Sequence, residues 1–488
     1  MALLPVGQYK PDVSDYGGDS SQNILNVLAQ GDGYGPFKDY TVFSGALAAA
    51  CRGAFYALDD DGTVAVFAAT STRLYKMDNT TFAWTDVSAS GSAYTALPST
   101  GNWKFAQFGL YVIAVQANVA PQVFQLGTST EFAALGGSPP QASYVDVVGR
   151  FLVLSGLTSN PYRVHWSGLN AITTWTSGTN SSDYQDFPDG GIVRGVAGGE
   201  YGYIFQDGVI RRMTYAPGSP VIFQIDRIAE DFGLYGPGSI VRLGDQVLFY
   251  SAKGFKRISP GSPIEPIGLE RVDRTFFADL DKGSLQLFMG AADPRSNRAF
   301  WSYKSTDGTT GLYNKILCYD GSLDRWFPIT MSGEYLLGMS QTGLTLESLD
   351  AISSSIDALT SSLDDYATSS IPEISQFNSA HKLGFFRGSN LEATLETAEQ
   401  HGDKGQRFRL KGFRPITDAA GVYGSASYRD TLQASLSYTD EIAINSRTGN
   451  CDININTRLS RAKVRIPAAS TWTFCAGVEP DLVQEGWQ

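Results

Sequence analysis

The residues of this chain that could carry chemistry are few, and their spacing matches no familiar catalytic or metal-binding pattern. The three histidines are His165, His381 and His401, and none stands in an H-E-x-x-H or other paired metal spacing. The chain has no G-x-S-x-G nucleophile elbow, no G-x-x-x-x-G-K-(S/T) phosphate loop and no G-x-G-x-x-G stretch that opens a helix. We therefore predict no catalytic residue, no metal ligand and no cofactor, and we do not expect an enzyme.

Two groups of aspartates were weighed against this conclusion. Asp59, Asp60 and Asp61 precede a glycine as in a calcium loop, but the alternating D-x-D-x-D-G order and the closing glutamate are absent, which favours a hairpin turn. Paired carboxylates would be needed by a glycosidase, yet nothing in the spacing of the other candidates sets two apart. Those candidates are Asp186, Asp189, Asp226 and Asp231.

The elements that would position any site follow a repeat. An apolar strand, a short turn and a second strand ending in a base recur at residues 64–76, 202–211 and 247–257. Phe205 and Phe249 lie 44 residues apart, and Phe67 and Phe205 lie 138 residues apart, which is three intervals of 46. Weaker copies occur at 111–126, 151–166 and 298–319. Such a period, made only of short strands and turns, is typical of β-propeller blades.

A second repeated feature supports the same period. Asp78 and Asp320 each follow an apolar strand and each precede a tryptophan by six residues, Trp84 or Trp326. An aspartate in a tight turn and a large ring at the start of the next strand form a packing pattern between twisted blades. We predict an all-β fold with a propeller of six to eight blades, of which six units are clearest in 42–340, rather than an array of β-sandwiches.

Composition agrees with an all-β protein and argues against a general nucleic-acid binder. Aromatic residues make up 12% of the 488 residues and Gly numbers 52, a mixture that favours strands and turns. The formal net charge is −12, the opposite of what phosphate neutralisation requires. Such charge is ordinary for solubility, and it also suits a protein that DNA must pass without sticking. No apolar run is long enough to span a membrane, and the four cysteines are expected to be free thiols.

The regions outside the repeat differ from it and from each other. Residues 1–41 are turn-rich and are predicted to form an extended N-terminal arm. Residues 341–380 contain Ser-(Leu/Ile)-Asp repeated every seven residues, which is compatible with an amphipathic helix or an irregular insertion. Residues 381–488 return to alternating strands and are predicted to form either the last blade or blades or a β-sandwich.

Basic residues are crowded in this last region of an acidic chain. They are predicted to form a contact surface for an acidic neighbour or for another copy of the protein, with solvated strand faces as the alternative. The candidates are Arg407, Arg409, Lys411, Arg414, Arg429, Arg458 and Arg461.

The chain also resembles a known family. The stretch Asn26–Phe37 is similar to the N-V-x-P-x-x-x-G-Y-G-P stretch of tail proteins of short-tailed bacteriophages, although Ala29 and Gln30 depart from it. Further resemblance lies in Tyr319–Trp326, in the Ser-Leu-Asp heptads of 348–364, and in Gly449–Cys451, Arg458 and Arg461. The family is the tail nozzle or tail hub protein, also called the packaged-DNA stabilisation protein.

This resemblance implies a structural virion protein. It implies a ring of six copies below the portal and adaptor that continues the DNA channel, retains packaged DNA and guides its ejection. The implied partners are the tail adaptor, a tail fibre or tailspike, and DNA that passes without sequence-specific binding. The protein would be assembled in the host cytoplasm and reside in the virion, with Asp59–Asp61 as candidates for lining the channel. A carbohydrate-binding or carbohydrate-cleaving propeller is the alternative.

Overall fold

The computed structural model describes residues 3–219, 221–293, 295–340, 373–402 and 405–484, together with 353, 355 and 357. Strands make up 48% of it and helix 5%. Seven four-stranded antiparallel sheets follow one another along the chain and form the blades of a propeller. The predicted all-β propeller is confirmed, and the number of blades is seven.

In blades 1 to 6 the four strands follow in chain order, with the first strand at one edge of the sheet and the fourth at the other. Blade 1 has Ala54–Leu58, Val64–Ala69, Leu74–Met77 and Trp84–Asp86; blade 2 has Lys104–Phe108, Tyr111–Gln116, Val119–Gln125 and Ala133–Ala134; blade 3 has Ala142–Val148, Phe151–Leu157, Arg163–Trp166 and Asp183–Asp186. Blade 4 has Val193–Ala197, Gly202–Gln206, Ile210–Tyr215 and Phe223–Ala229; blade 5 has Val241–Leu243, Gln246–Ser251, Gly254–Ile258 and Glu265–Pro266; blade 6 has Met289–Asp293, Arg298–Tyr303, Tyr313–Asp320 and Arg325–Gly333.

Blade 7 is assembled from distant parts of the chain. Its first three strands are Tyr335–Met339, Glu373–Phe377 and Lys382–Phe385, and its fourth is Thr41–Ala46, which pairs antiparallel with the third. The expected boundary at 340 therefore lies inside this blade. The reason is that the segment after Ser340 interrupts the blade between its first and second strands.

The sequence repeat corresponds to the second and third strands of blades 1 to 6. These strands are the most apolar, because they are covered on both faces by neighbouring blades. The aspartate and tryptophan pattern has the expected structure as well. Asp78 and Asp320 lie in the turns before the fourth strands of blades 1 and 6, where each accepts two backbone N–H bonds within the turn.

The rest of the chain forms a two-sheet unit beside blades 6 and 7. The first sheet runs in the order Ile455–Thr457, Phe408–Thr417, Cys475–Gln484, Tyr34–Pro36 and Val27–Ala29, with Leu4–Pro5 also on Cys475–Gln484. The second runs in the order Ser437–Tyr438, Tyr423–Tyr428, Ala462–Ile466, Ala393–Glu396 and Ile24–Leu25, with Ile442–Ala443 also on Tyr423–Tyr428. Of the two predicted alternatives for this region, the β-sandwich describes residues 393–484, whereas 382–385 belong to blade 7.

The first 41 residues differ from the extended arm that we expected. Their short strands are part of both sandwich sheets, so their backbone groups pair within the chain rather than waiting for a neighbour. Two small sheets complete this region, a parallel pair of Gln8–Tyr9 with Ser20–Ser21 and an antiparallel pair of Gln400–His401 with Leu459–Ser460. Apolar residues of the sandwich and of blades 6 and 7 form one continuous core.

Helices are short and lie between strands. The described residues contain one α-helix, Asp273–Asp279, between blades 5 and 6. Single 3-10 turns occur at Ala89–Gly91, Pro188–Gly190, Pro237–Ser239 and Leu285–Leu287. None of the described helices has the length and apolar character needed to cross a membrane. The Ser-Leu-Asp heptads, for which helix and irregular insertion were both expected, lie outside the described residues except for 353, 355 and 357.

Candidate functional site: the central cavity of the propeller

The first strands of the blades surround the propeller axis, because each packs against the first strand of a neighbouring blade. Blades 4 and 5 meet where Gly195 and Gly199 pack against Ile240 and Arg242. Separate apolar clusters fill the spaces between successive blades and fix their angles. The starts of the first strands, together with the loops that lead into them, form one face of the axis.

On this face a loop that we call the axial loop, residues 97–103, reaches across the propeller. It connects blades 1 and 2, yet Asn102 Nδ2 donates a hydrogen bond of 2.8 Å to the Gln286 carbonyl, just before blade 6. The Arg52 guanidinium holds the other side of the loop, because Nε bonds Asn102 Oδ1 at 3.0 Å and Nη2 bonds the Ser99 carbonyl at 3.0 Å and the Gly101 carbonyl. The axial loop therefore covers the axis on the side of blades 1, 7 and 6.

Beside the axial loop lies a cavity of about 580 Å³. It is lined by blades 2 to 5 and by the loop before blade 6, and its walls mix apolar and polar groups. The charged residues on its walls are Lys104, Arg194 and Asp207, and its aromatic residues are Tyr144 and Tyr235. A cavity of this size and mixed lining is typical of small-molecule sites.

Lys104 opens the first strand of blade 2, between the buried Trp103 and the half-buried Phe105. Its side chain reaches solvent in the cavity, but protein atoms surround it. This burial lowers the pKa of Lys104 to about 8, and no charged group offsets the effect. Within the described ranges, no carboxylate lies close enough to Lys104 to form an ion pair.

The other two charged groups of the cavity neutralise each other. Arg194 Nε lies 2.6 Å from Asp207 Oδ1, while Asp207 Oδ2 accepts the Ile192 backbone N–H at 2.9 Å. Tyr144 faces this pair, and burial raises the pKa of its hydroxyl to about 12, so it stays protonated. The cavity thus carries one surplus positive charge within an acidic protein, and it holds a phenol hydroxyl that can donate a hydrogen bond.

The basic residues singled out in the C-terminal region are mostly engaged within the sandwich. Arg407 pairs with Asp430, Arg414 with Glu479, Arg429 with Glu399 and Arg461 with Asp15.

The remaining three have different surroundings. Arg409 Nε donates to Asn454 Oδ1 at 2.8 Å, and the Nε atom of Arg458 is buried without a hydrogen-bond partner. Lys411 is exposed on the strand Phe408–Thr417, with no ion pair among the described residues. Lys411 is thus the member of the group with the most freely available charge.

The acidic turn Asp59–Asp61 joins the first two strands of blade 1, as the hairpin interpretation predicted. Asp61 accepts the Thr63 N–H at 2.8 Å, and this bond lowers the pKa of the Asp61 carboxyl. Because the turn follows the end of a first strand, it lies on the opposite face of the propeller from the cavity. Its role in lining a channel remains a prediction.

The aspartates considered for glycoside hydrolysis do not meet in a cleft. Asp186 pairs with Arg163 at 2.7 Å, and Asp189 pairs with Arg211 at 2.6 Å. Asp226 pairs in register with Arg212 on the third strand of blade 4, and Asp231 lies in the exposed turn after that blade.

The histidines and cysteines of the chain have structural contacts. His165 Nε2 lies 3.1 Å from the Trp175 carbonyl, and His401 stacks on Tyr16. His381 Nδ1 lies 2.6 Å from Glu334 Oε1. The four cysteines are buried and unpaired, in agreement with the prediction of free thiols. Burial raises the pKa of the Cys51 thiol, which suppresses the reactive thiolate. Among the described residues no three His, Cys, Asp or Glu side chains form a metal-binding group.

Comparison with known proteins gives similarity only to solved structures. No family model matches the chain, and no curated protein matches it. A chain of the mitotic checkpoint complex matches 73% of this chain over 96% of its own length, with 11% identity and a TM-score of 0.38. A quinonprotein alcohol dehydrogenase-like protein from Bacteroides thetaiotaomicron matches 57% of this chain over 67% of its own length, with 12% identity and a TM-score of 0.34.

Sequence reasoning missed the residues of the cavity. Lys104, Arg194 and Asp207 lie 90 or more residues apart from first to last within ordinary strand patterns, and no motif joins them. One local signal was available. A lysine between Trp103 and Phe105 is unusual at the start of a repeat unit, because a charged group there must lie close to the propeller axis.

Proposed function

We propose that this protein is the nozzle or hub of a short bacteriophage tail, a structural virion protein that forms a six-copy ring below the portal and adaptor. In this role it continues the DNA channel, retains the packaged DNA and guides ejection. The partners are the adaptor, a tail fibre or tailspike, and DNA held without sequence-specific contacts. The resemblance of the sequence to the tail nozzle family is the starting point, and one structural observation supports it.

That observation is the meeting of distant segments that carry the resemblance. Arg325 Nη1, in the segment 319–326, donates a hydrogen bond of 2.7 Å to the Gln30 carbonyl, in the segment 26–37. Close by, the Thr330 N–H bonds Asn26 Oδ1 at 2.8 Å, and the Asn26 N–H bonds the Pro328 carbonyl at 3.0 Å. These contacts join the sandwich to blade 6. The similar residues thus belong to one junction, which is what a shared framework would require.

The architecture also suits a ring subunit. A closed propeller leaves few free strand edges, and its shared core with the sandwich makes one rigid block with two unlike sides. Head-to-tail contacts between such blocks close a ring when the rotation per copy is right. Because the axial loop lies across the propeller axis, DNA in this proposal passes between the copies, along the axis of the ring.

The test is electron microscopy of the purified protein, alone and mixed with its tail adaptor. A ring of six copies with a central opening is expected in at least one of the two preparations. A monomer in both preparations would overturn the proposal. Removing the first 35 residues is not a suitable test, because those residues complete the sandwich.

A point substitution tests the surface that such a ring would use. Lys411→Glu reverses the available charge on the sandwich, and Lys253→Glu, in an exposed turn of blade 5, is the matched control. Reduced assembly of Lys411→Glu with normal assembly of Lys253→Glu would assign the sandwich to a partner contact. Equal assembly of both variants would remove Lys411 from that contact.

A further inference from the structure

We propose that the central cavity of the propeller binds a small organic anion, a sugar-sized molecule with one carboxylate or phosphate group, through Lys104. This site is separate from any contact between copies in a tail. It does not rest on the proposed function. The argument starts from the charge balance of the cavity.

Lys104 is the source of the surplus charge. The Arg194 and Asp207 side chains lie 2.6 Å apart and satisfy each other, so neither changes the balance. A buried ammonium without a counter-ion is costly in a folded protein. An anion in the cavity would supply the missing counter-charge, and in partly desolvated surroundings this attraction is stronger than on the surface.

The walls of the cavity indicate what the rest of the ligand resembles. Tyr144 and Tyr235 present aromatic surface with polar tips, and the axial loop adds the side chain of Thr100 and the backbone of Gly101. No described group accepts a hydrogen bond from the Tyr144 hydroxyl, so it is available to a ligand. Aromatic rings beside hydroxyl groups suit a small polyhydroxylated body, which packs one face on a ring.

The axial loop gives the cavity a fixed wall. The bonds from Arg52 to this loop, and from Asn102 to the Gln286 carbonyl, hold its backbone across the axis. A preformed wall reduces the ordering that binding would otherwise require. The site is thus organised before a ligand arrives.

The first experiment measures binding by isothermal titration calorimetry with glucuronate, glucose 6-phosphate and neutral glucose as probes. Binding of at least one anion and about tenfold or weaker binding of glucose are expected, from the value of a charged hydrogen bond. The two anions distinguish a carboxylate ligand from a phosphate ligand. No binding of either anion up to about 10 mM, the weak end of ligand affinity, would overturn the proposal.

The second experiment uses Lys104→Met, which keeps the length of the side chain and removes its charge. We expect about tenfold or greater loss of anion affinity. Lys411→Met, on the sandwich, is the control and should bind as the unaltered protein does. Equal binding by Lys104→Met would show that the anion binds elsewhere.

A third measurement needs no variant. Acylation of amines followed by peptide mass spectrometry reports the reactivity of Lys104 in the unaltered protein, and the bound anion should protect it selectively. The charges around Lys104 are Arg194, Asp207 and the Arg52 behind the axial loop, while Tyr144 stays neutral. Affinity should therefore fall about tenfold per pH unit above pH 8 as Lys104 loses its proton. Binding without protection of Lys104 would contradict the assignment.

Discussion

Arg461 and Asp15 form a buried ion pair that joins the C-terminal sandwich to the N-terminal segment, with Nη2 at 3.0 Å from Oδ1 and Nε at 2.8 Å from Oδ2. The side chains are 8% and 4% exposed. Burial raises the pKa of the Asp15 carboxyl, and Arg461 acts against that rise. The pair thus matters less for its own attraction than for the charge that would remain if one partner were removed.

The first prediction concerns this pair. Asp15→Ala should lower the free energy of unfolding by about 3–5 kcal/mol, because it leaves the Arg461 charge buried without a partner. Urea unfolding followed by circular dichroism measures the change. Glu230→Gln, in an exposed pair with Arg227 at 3.3 Å, is the control and should change stability by less than about 1 kcal/mol. Equal effects of both substitutions would contradict the structural role of Asp15.

The second prediction concerns pH. Burial raises the pKa of Asp273 to about 6, while Oδ1 accepts the Phe255 N–H at 3.0 Å. The unfolded chain therefore releases this proton near pH 4 and the folded protein near pH 6. Stability contributed by the protonated group is lost as the pH rises between these values.

Asp273→Asn removes this titration and keeps the oxygen that accepts the Phe255 N–H. Relative to the unaltered protein, the variant should gain on the order of 1 kcal/mol between pH 4 and pH 8, less than the full shift implies because the carboxyl is partly solvated. Urea unfolding at both pH values measures this difference. The same difference between variant and unaltered protein at both pH values would disprove the assignment.

The third prediction concerns the axial loop. Arg52→Met removes the hydrogen bonds that hold the loop, so backbone amides of residues 97–103 should exchange with deuterium about tenfold or more faster. Hydrogen exchange with mass spectrometry measures this rate. Arg150→Met, in an exposed turn of blade 3, should leave the loop unchanged. Unaltered exchange in Arg52→Met would show that other contacts hold the loop.

The fourth prediction concerns closure of the propeller. A Cβ atom at Gly384 would lie 2.1 Å from the Thr41 carbonyl oxygen, so Gly384→Ala must push the closing strand of blade 7 away. We expect a loss of about 1–3 kcal/mol and faster proteolysis near residues 41–46. Gly31→Ala, where a Cβ atom meets nothing within 4 Å, is the control. Proteolysis that is equally slow in both variants would contradict the prediction.

The sequence predicted those parts of the fold in which local pattern and environment agree. The second and third strands of blades 1 to 6 are apolar because both faces are covered, so their repeat was visible around Phe67, Phe205 and Phe249. The seventh blade was not visible, since its strands are separated in the chain and its closing strand, Thr41–Ala46, precedes all the others. Pairing over such a distance leaves no local signal.

The sandwich and the cavity were hidden for related reasons. The N-terminal strands are two or three residues long, so their alternation is too short to recognise, and only their pairing with residues 393–396 and 475–484 defines them. The bases near Arg461 looked like a surface because their acidic partners, such as Asp15, come from distant segments. The importance of Lys104 depends on the axial loop, whose course is set by Arg52 and Gln286.

The closing strand has a consequence for biosynthesis. Residues 41–46 leave the ribosome early, but their partner strand, Lys382–Phe385, is made more than 330 residues later. At about 5–20 residues per second, this strand waits for tens of seconds with its backbone unpaired. Translation speed and chaperones that cover an exposed strand during this interval would then govern the yield of correctly closed protein, whatever the stability of the finished molecule.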